Sequence, residues 1–153
     1  MLRQRYFTRT ALPFLALLLF ATWGTSSTVA QEKKSLYDRL GGYDALAAVT
    51  DDFIGRLAAN KQLAHFLDGL SDDSKMKLRQ HVLNLLCKTT GGPCFYTGRD
   101  MKTSHKGLGI TESDWETSVK DLNATLDKFK VPKAERDEVL AAISGLKKDI
   151  VEK

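Results

Sequence analysis

The stretch Gly91-Gly92-Pro93-Cys94-Phe95-Tyr96-Thr97-Gly98-Arg99-Asp100-Met101-Lys102-Thr103-Ser104-His105-Lys106-Gly107-Leu108-Gly109 interrupts a chain otherwise patterned for helices. It carries five glycines and one proline in 19 positions. Ordering glycine costs more backbone entropy than ordering any other residue. A helical protein that keeps such a stretch between good helices uses it to place something, and Asp100 to His105 stand in its middle. Upstream, Ser71 followed by Asp72 and Asp73 reads as an N-cap with acids set against the helix dipole. The helix it opens shows Leu78, Val82, Leu85 and Leu86 on one face, and Gly91-Gly92-Pro93 stops it. Before that, Tyr43–Asn60 has Leu46, Val49, Phe53, Ile54 and Leu57 at helical spacing, and Gly41-Gly42 separates it from a shorter helix at Ser35–Leu40. Downstream, Thr111 with Asp114 resembles a capping box. Trp115, Val119, Leu122, Leu126 and Phe129 then form one stripe. Pro132 restarts the chain, and Val139, Ile143, Leu146 and Ile150 predict a single last helix. No segment keeps a period of two between hairpin turns. The fold class is all-α.

The 153 residues have 42% hydrophobic and 27% charged content, enough for one domain with a real core. The formal charge is +4, but Arg3, Arg5 and Arg9 supply three of those charges; from Gln31 onward 20 Lys and Arg face 19 Asp and Glu. Bulk charge therefore gives no support to nucleic-acid binding. Residues 1–30 read as a secretory signal peptide: a basic start, an apolar run from Ala11 to Trp23, and small residues ending at Thr28-Val29-Ala30. The run is too short for the roughly 20 residues that span hydrocarbon. The expectation is export, to the periplasm, of a domain covering 31–153, free of the membrane after cleavage.

Three histidines are present: His65, His81 and His105. No pair has zinc-type spacing, and C-x-x-C-H, the attachment motif of covalent haem, is absent. Neither a phosphate-binding glycine loop nor a nucleophile elbow occurs. The acid pairs Asp51-Asp52 and Asp72-Asp73 read as solvated helix surface, so paired-carboxylate catalysis is not indicated.

Taken in order, Leu36-Tyr37-Asp38-Arg39-Leu40-Gly41-Gly42, Asp52-Phe53, Gly91-Gly92-Pro93, Tyr96-Thr97-Gly98, Asp100-Met101-Lys102, His105 and Gly109-Ile110-Thr111 resemble the truncated haemoglobins of group I. The resemblance runs from about Ser35 to Val151. It implies a two-over-two helical sandwich holding one non-covalent haem b, with His105 as the proximal iron ligand. Haem needs an apolar slot and one neutral imidazole aimed at iron. Met101, four residues before His105, would set a carbonyl against the imidazole N–H and fix its tautomer. The same correspondence gives a pocket of Phe53, Ile54, Leu67, Leu78, Val82, Leu86, Met101, Trp115 and Leu122, although ordinary core packing also explains such stripes. Tyr96 and Lys102 are candidate neighbours of the propionates.

On the distal side the chain departs from the family pattern. Ile54 stands where these globins commonly carry Tyr, Val82 where they often carry Gln, and Leu67 where Phe is common. Tyr and Gln hydrogen-bond to O₂, and losing such bonds, at roughly 1–3 kcal/mol, weakens O₂ retention about five- to 150-fold. CO and NO depend on them less. His81, one residue before Val82, is a candidate sixth iron ligand as in some members; a propionate contact and solvent exposure are its alternatives. His65 lies outside the motif and reads as surface.

An oxidising compartment permits a disulfide between Cys87 and Cys94, and the spacing leaves two independent thiols equally open. The functional expectation is a monomeric haem protein that binds diatomic gases (O₂, NO, CO). The alternatives are a His105/His81 electron-transfer protein, or NO dioxygenation or peroxidase chemistry. That dioxygenation would need a separate electron donor, because no flavin or nicotinamide motif is present. A haem-free helical interaction module is the bland alternative.

Overall fold

The computed structural model describes residues 34–153, so the leader read over residues 1–30 lies outside the described residues. Among the described residues seven α-helices follow one another: α1 Leu36–Arg39, α2 Gly42–Ala59, α3 Asp72–Thr89, α4 Met101–His105, α5 Glu112–Lys128, α6 Lys133–Ser144 and α7 Lys147–Ile150, with one 3₁₀ turn at Ala64–Phe66. No strand occurs among the described residues, and none of their helices is long and apolar enough to cross a membrane. α2 packs on α3 and on α5, α5 packs on α6, and α4 packs on α7. The α2–α3 pair over the α5–α6 pair is the expected two-over-two sandwich.

Local chemistry sets the helix ends. Ser35 accepts the Asp38 N–H at 3.1 Å, and Ser71 accepts the Ser74 N–H at 3.2 Å. Thr111 and Asp114 exchange bonds in a full capping box: the Asp114 N–H donates to the Thr111 hydroxyl at 3.2 Å, and the Thr111 N–H donates to the Asp114 carboxylate at 3.0 Å. Two residues past the end of α5, Lys130 has a φ of 53°, in the left-handed region usually left to glycine. The Val131 N–H then returns to the Leu126 carbonyl at 3.0 Å.

Three expectations need correction. The last helix is broken: α6 stops at Ser144, and Gly145 and Leu146 precede α7. Glycine is a poor helix former, and the Leu146 N–H closes a tighter turn onto the Ile143 carbonyl at 2.9 Å. The buried face of α3 is Leu83, Leu86 and Cys87, while Leu78, Val82 and Leu85 are half-buried. α3 thus carries two apolar faces, and the sequence pattern merged them into one. Finally, Asp52 is not solvated surface. Its carboxylate accepts from Arg56 Nε at 2.7 Å, from the Thr125 hydroxyl at 2.9 Å and from Lys128 Nζ, tying α2 to α5. The Lys128 ammonium, then the Arg56 guanidinium, hold it well below the usual carboxylate range.

Two buried clusters form the core. Leu46, Leu83, Leu86 and Cys87 make one, with Tyr37 and Val82 packed against it. Val49, Leu122, Leu126 and Val139 make the other, with Phe53 packed against it. Leu40 and Ile143 touch both.

Candidate functional site

The five residues of α4 make a helix of little more than one turn, too short to stand by its own hydrogen bonds. Its start is fastened by Asp100, whose carboxylate accepts the Thr103 N–H and the Thr103 hydroxyl, each at 2.8 Å. That N–H bond, followed by the hydroxyl bond, holds Asp100 below the ordinary carboxylate range. His105 closes the helix, half-buried, with Nδ1 2.8 Å from the Met101 carbonyl oxygen. A carbonyl can only accept, so in the neutral ring Nδ1 carries the proton and Nε2 keeps its lone pair. This is the tautomer that ligates a metal. Beyond His105, the N–H groups of Gly107 and Gly109 both donate to the Glu152 carboxylate, at 2.7 and 2.6 Å. The Gly107 bond first, then that of Gly109, lowers the Glu152 pKa.

The approach to α4 is closed by a covalent bond. Cys87, at the end of α3, is disulfide-bonded to Cys94, with 5.8 Å between Cα atoms, which settles the question that spacing left open. Gly92 lies inside the ring this makes. A Cβ there would come within 2.5 Å of the Tyr37 ring and 2.7 Å of Cys87 Sγ, so close approach demands glycine. The Tyr96 hydroxyl donates to the Arg99 carbonyl at 2.7 Å, pinning the loop just ahead of Asp100. Phe95 stands 85% exposed between them.

The pocket residues come from all sides of the fold. Leu86, Trp115 and Leu122 are buried. Phe53 and Ile54 from α2, Leu67 after the 3₁₀ turn, Leu78 and Val82 from α3, and Met101 are half-buried. Ile54, Leu67, Leu78 and Met101 belong to neither buried cluster. Lys102 is exposed on α4, and the hydroxyl of Tyr96 is already engaged. His81 is half-buried, 6.1 Å from the Tyr96 ring in an edge-on arrangement, and its Nδ1 is buried without a hydrogen-bond partner. His65 is exposed beside the Phe66 ring. An internal cavity of about 130 Å³ lies elsewhere, among Leu40, Leu46, Val49, Leu126 and Val139. It shares Leu86 and Leu122 with the pocket. That volume is on the scale of cavities that admit xenon or benzene, not a tetrapyrrole.

Sequence reasoning missed two fastenings. Glu152 lies more than 40 residues beyond the glycines it holds, and a single Glu near a run of Lys reads as surface. Gln62, in the turn before Leu63, donates to the buried Asp114 at 2.7 Å and so ties that turn to the start of α5. Neither has a local sequence signal.

These residues fit a haem. The His105 imidazole, oriented by the Met101 carbonyl, suits an iron that brings its own ring of nitrogen ligands, because no group of three His, Cys, Asp or Glu side chains gathers among the described residues. Half-buried apolar side chains outside both clusters suit the flat face of a porphyrin. The orphaned His81 nitrogen needs a polar or metal partner.

Comparison with known proteins agrees. The family model for bacterial-like globins matches residues 35–152. A group 1 truncated hemoglobin of Mycolicibacterium paratuberculosis is 35% identical over 119 residues, 78% of this chain and 85% of that protein. The truncated hemoglobin of Tetrahymena pyriformis in its Fe(III) form superposes with a TM-score of 0.71 at 27% identity, over 78% of this chain and all of that one. The 2/2 hemoglobin of Synechococcus, in the cyanomet state with covalently attached heme, shares the fold at a TM-score of 0.71 and 24% identity, with the same coverage.

Proposed function

The chain belongs to the bacterial-like globins, as a group I truncated haemoglobin, and from that premise we propose that it is a haem b protein binding diatomic gases at an iron held by His105. One observation carries the residue assignment: the 2.8 Å bond from His105 Nδ1 to the Met101 carbonyl, at the end of a helix fastened by Asp100. When bound, the haem supplies an iron that changes oxidation state and has a coordination position for a gas. The protein's part is to hold and surround it. His105 presents Nε2, and the Met101 carbonyl fixes the ring's orientation and raises its basicity. Phe53, Ile54, Leu78 and Val82 exclude water without offering a hydrogen-bond donor, so they favour NO and CO relative to O₂. Lys102 is the cation for a propionate. With both cysteines in the disulfide, no thiol remains for a thioether, in keeping with non-covalent attachment.

The orphaned Nδ1 of His81 favours a second state, in which His81 would be a further ligand to the iron. That state would suit electron transfer and would slow every external ligand. We also propose export through the leader, with Gln31 as the first mature residue, and a separate electron donor that keeps the iron ferrous.

Ferric and ferrous absorption spectra of the hemin-loaded wild type, His81→Ala and His105→Ala test the assignment. His105→Ala should lose the haem or its imidazole-type spectrum. A low-spin ferric spectrum that disappears in His81→Ala assigns the sixth ligand. An unchanged His105→Ala spectrum would overturn the proximal assignment.

A further inference from the structure

Glu152, exposed at the surface, holds the turn that leaves His105 through both of its carboxylate oxygens. One oxygen accepts the Gly107 N–H at 2.7 Å and the other accepts the Gly109 N–H at 2.6 Å. Both glycines have positive φ, 83° and 66°, which turns their N–H groups toward one side of the chain. Such concave arrays of backbone N–H groups bind anions. Here the anion is built in. The main chain that carries it is fixed in place: the Glu152 N–H donates to the Ile110 carbonyl at 2.8 Å and the Lys153 carbonyl accepts the Glu112 N–H at 3.2 Å. The Leu108 N–H bonds the His105 carbonyl at 3.1 Å, so the clasped turn is joined directly to the backbone of His105.

The need for a clasp follows from the size of α4. With one turn and no buried residue, it takes its direction from its two ends. Asp100 fixes the first end and Glu152 the second, while α7 packs along it. We infer that Glu152 is a positioning residue for the iron-facing imidazole, setting the angle and the freedom of His105 through the Gly107–Gly109 turn. The inference rests on His105 being the proximal ligand. Hydrogen bonds to a carboxylate are about twice as strong as neutral ones. Glu152→Gln replaces one acceptor by a donor facing an N–H, and Glu152→Ala removes both.

Resonance Raman spectra of the ferrous, ligand-free, hemin-loaded full chain report the iron–imidazole stretch. We compare wild type, Glu152→Gln, Glu152→Ala and His105→Gly, with haem loss to excess apomyoglobin as a second readout. Amide exchange of Gly107 and Gly109 in the haem-free protein is the third. Both Glu152 variants should shift or broaden the stretch and lose haem about tenfold faster, the scale found for partners of metal-ligating side chains, and both amides should exchange at least about tenfold faster. If His105→Gly keeps the stretch, the proximal assignment fails and takes this inference with it. If His105→Gly loses the stretch while both Glu152 variants keep its position, its width and the wild-type rate of haem loss, Glu152 is a structural tie alone and the inference is overturned.

Discussion

Replacing Cys87 and Cys94 together by alanine should cost about 3 kcal/mol. The bridge joins residues seven apart and so closes a ring of eight. For a ring of that size the chain-entropy relation gives about 2.5 kcal/mol at 25 °C. Cys87 is fully buried against Leu46, Leu83 and Leu86, so removing its sulfur adds roughly 0.5–1 kcal/mol of lost packing. Alanine is the right replacement, because it adds no polar group at this fully buried position. For a domain of this size the sum corresponds to a fall in Tm of about 10 °C. The assay is thermal unfolding of wild type and double variant, each with and without a thiol reductant. Reductant should lower the wild-type Tm by most of that amount and leave the variant where it is. Haem loss should quicken in parallel, because the same ring fixes where the segment leading to α4 begins. A wild-type Tm indifferent to reductant, or two thiols that alkylate without prior reduction, would refute the reasoning.

The Asp52 network predicts a specific response to pH. A carboxylate whose folded pKa is depressed stabilises the fold above its unfolded pKa, about 3.9, and that contribution is lost as pH falls through the folded value. Asp52→Asn should therefore cost about 1.5–3 kcal/mol at pH 7, and urea unfolding should show wild type and variant converging as pH drops below about 4. Gly92→Ala drives a methyl into the Tyr37 ring and Cys87 sulfur; it should cost about 1–3 kcal/mol and weaken disulfide formation, read by thermal unfolding and thiol titration. Lys130→Gly should run the other way. Relief of a left-handed φ of 53° stabilises by about 1 kcal/mol, visible as a higher urea midpoint with haem spectra unchanged.

How much of this was legible in the sequence depends on how local each signal is. The caps at Ser71 and Thr111 and the stripe from Trp115 to Leu126 are written within one or two turns, so α3 and α5 could be read directly. The bond from Met101 to His105 follows from helical spacing of four. α3 was harder, since two apolar faces on one helix overlay each other in a linear pattern, and Leu83 was overlooked for that reason. Asp52 looked solvated because two adjacent acids usually are, while its partner Thr125 lies 73 residues away. Glu152 was silent for the same cause. Long-range polar ties leave no period in the chain; only folding brings their halves together.

The Glu152 clasp also sets an order of assembly. Gly109 and Glu152 are 43 residues apart, and translation advances at about 5–20 residues per second. A nascent chain therefore carries its histidine corner for roughly two to nine seconds before the fastening carboxylate has been synthesised. Under the proposed assignment, firm seating of a haem therefore follows the synthesis of Glu152 rather than that of the histidine corner.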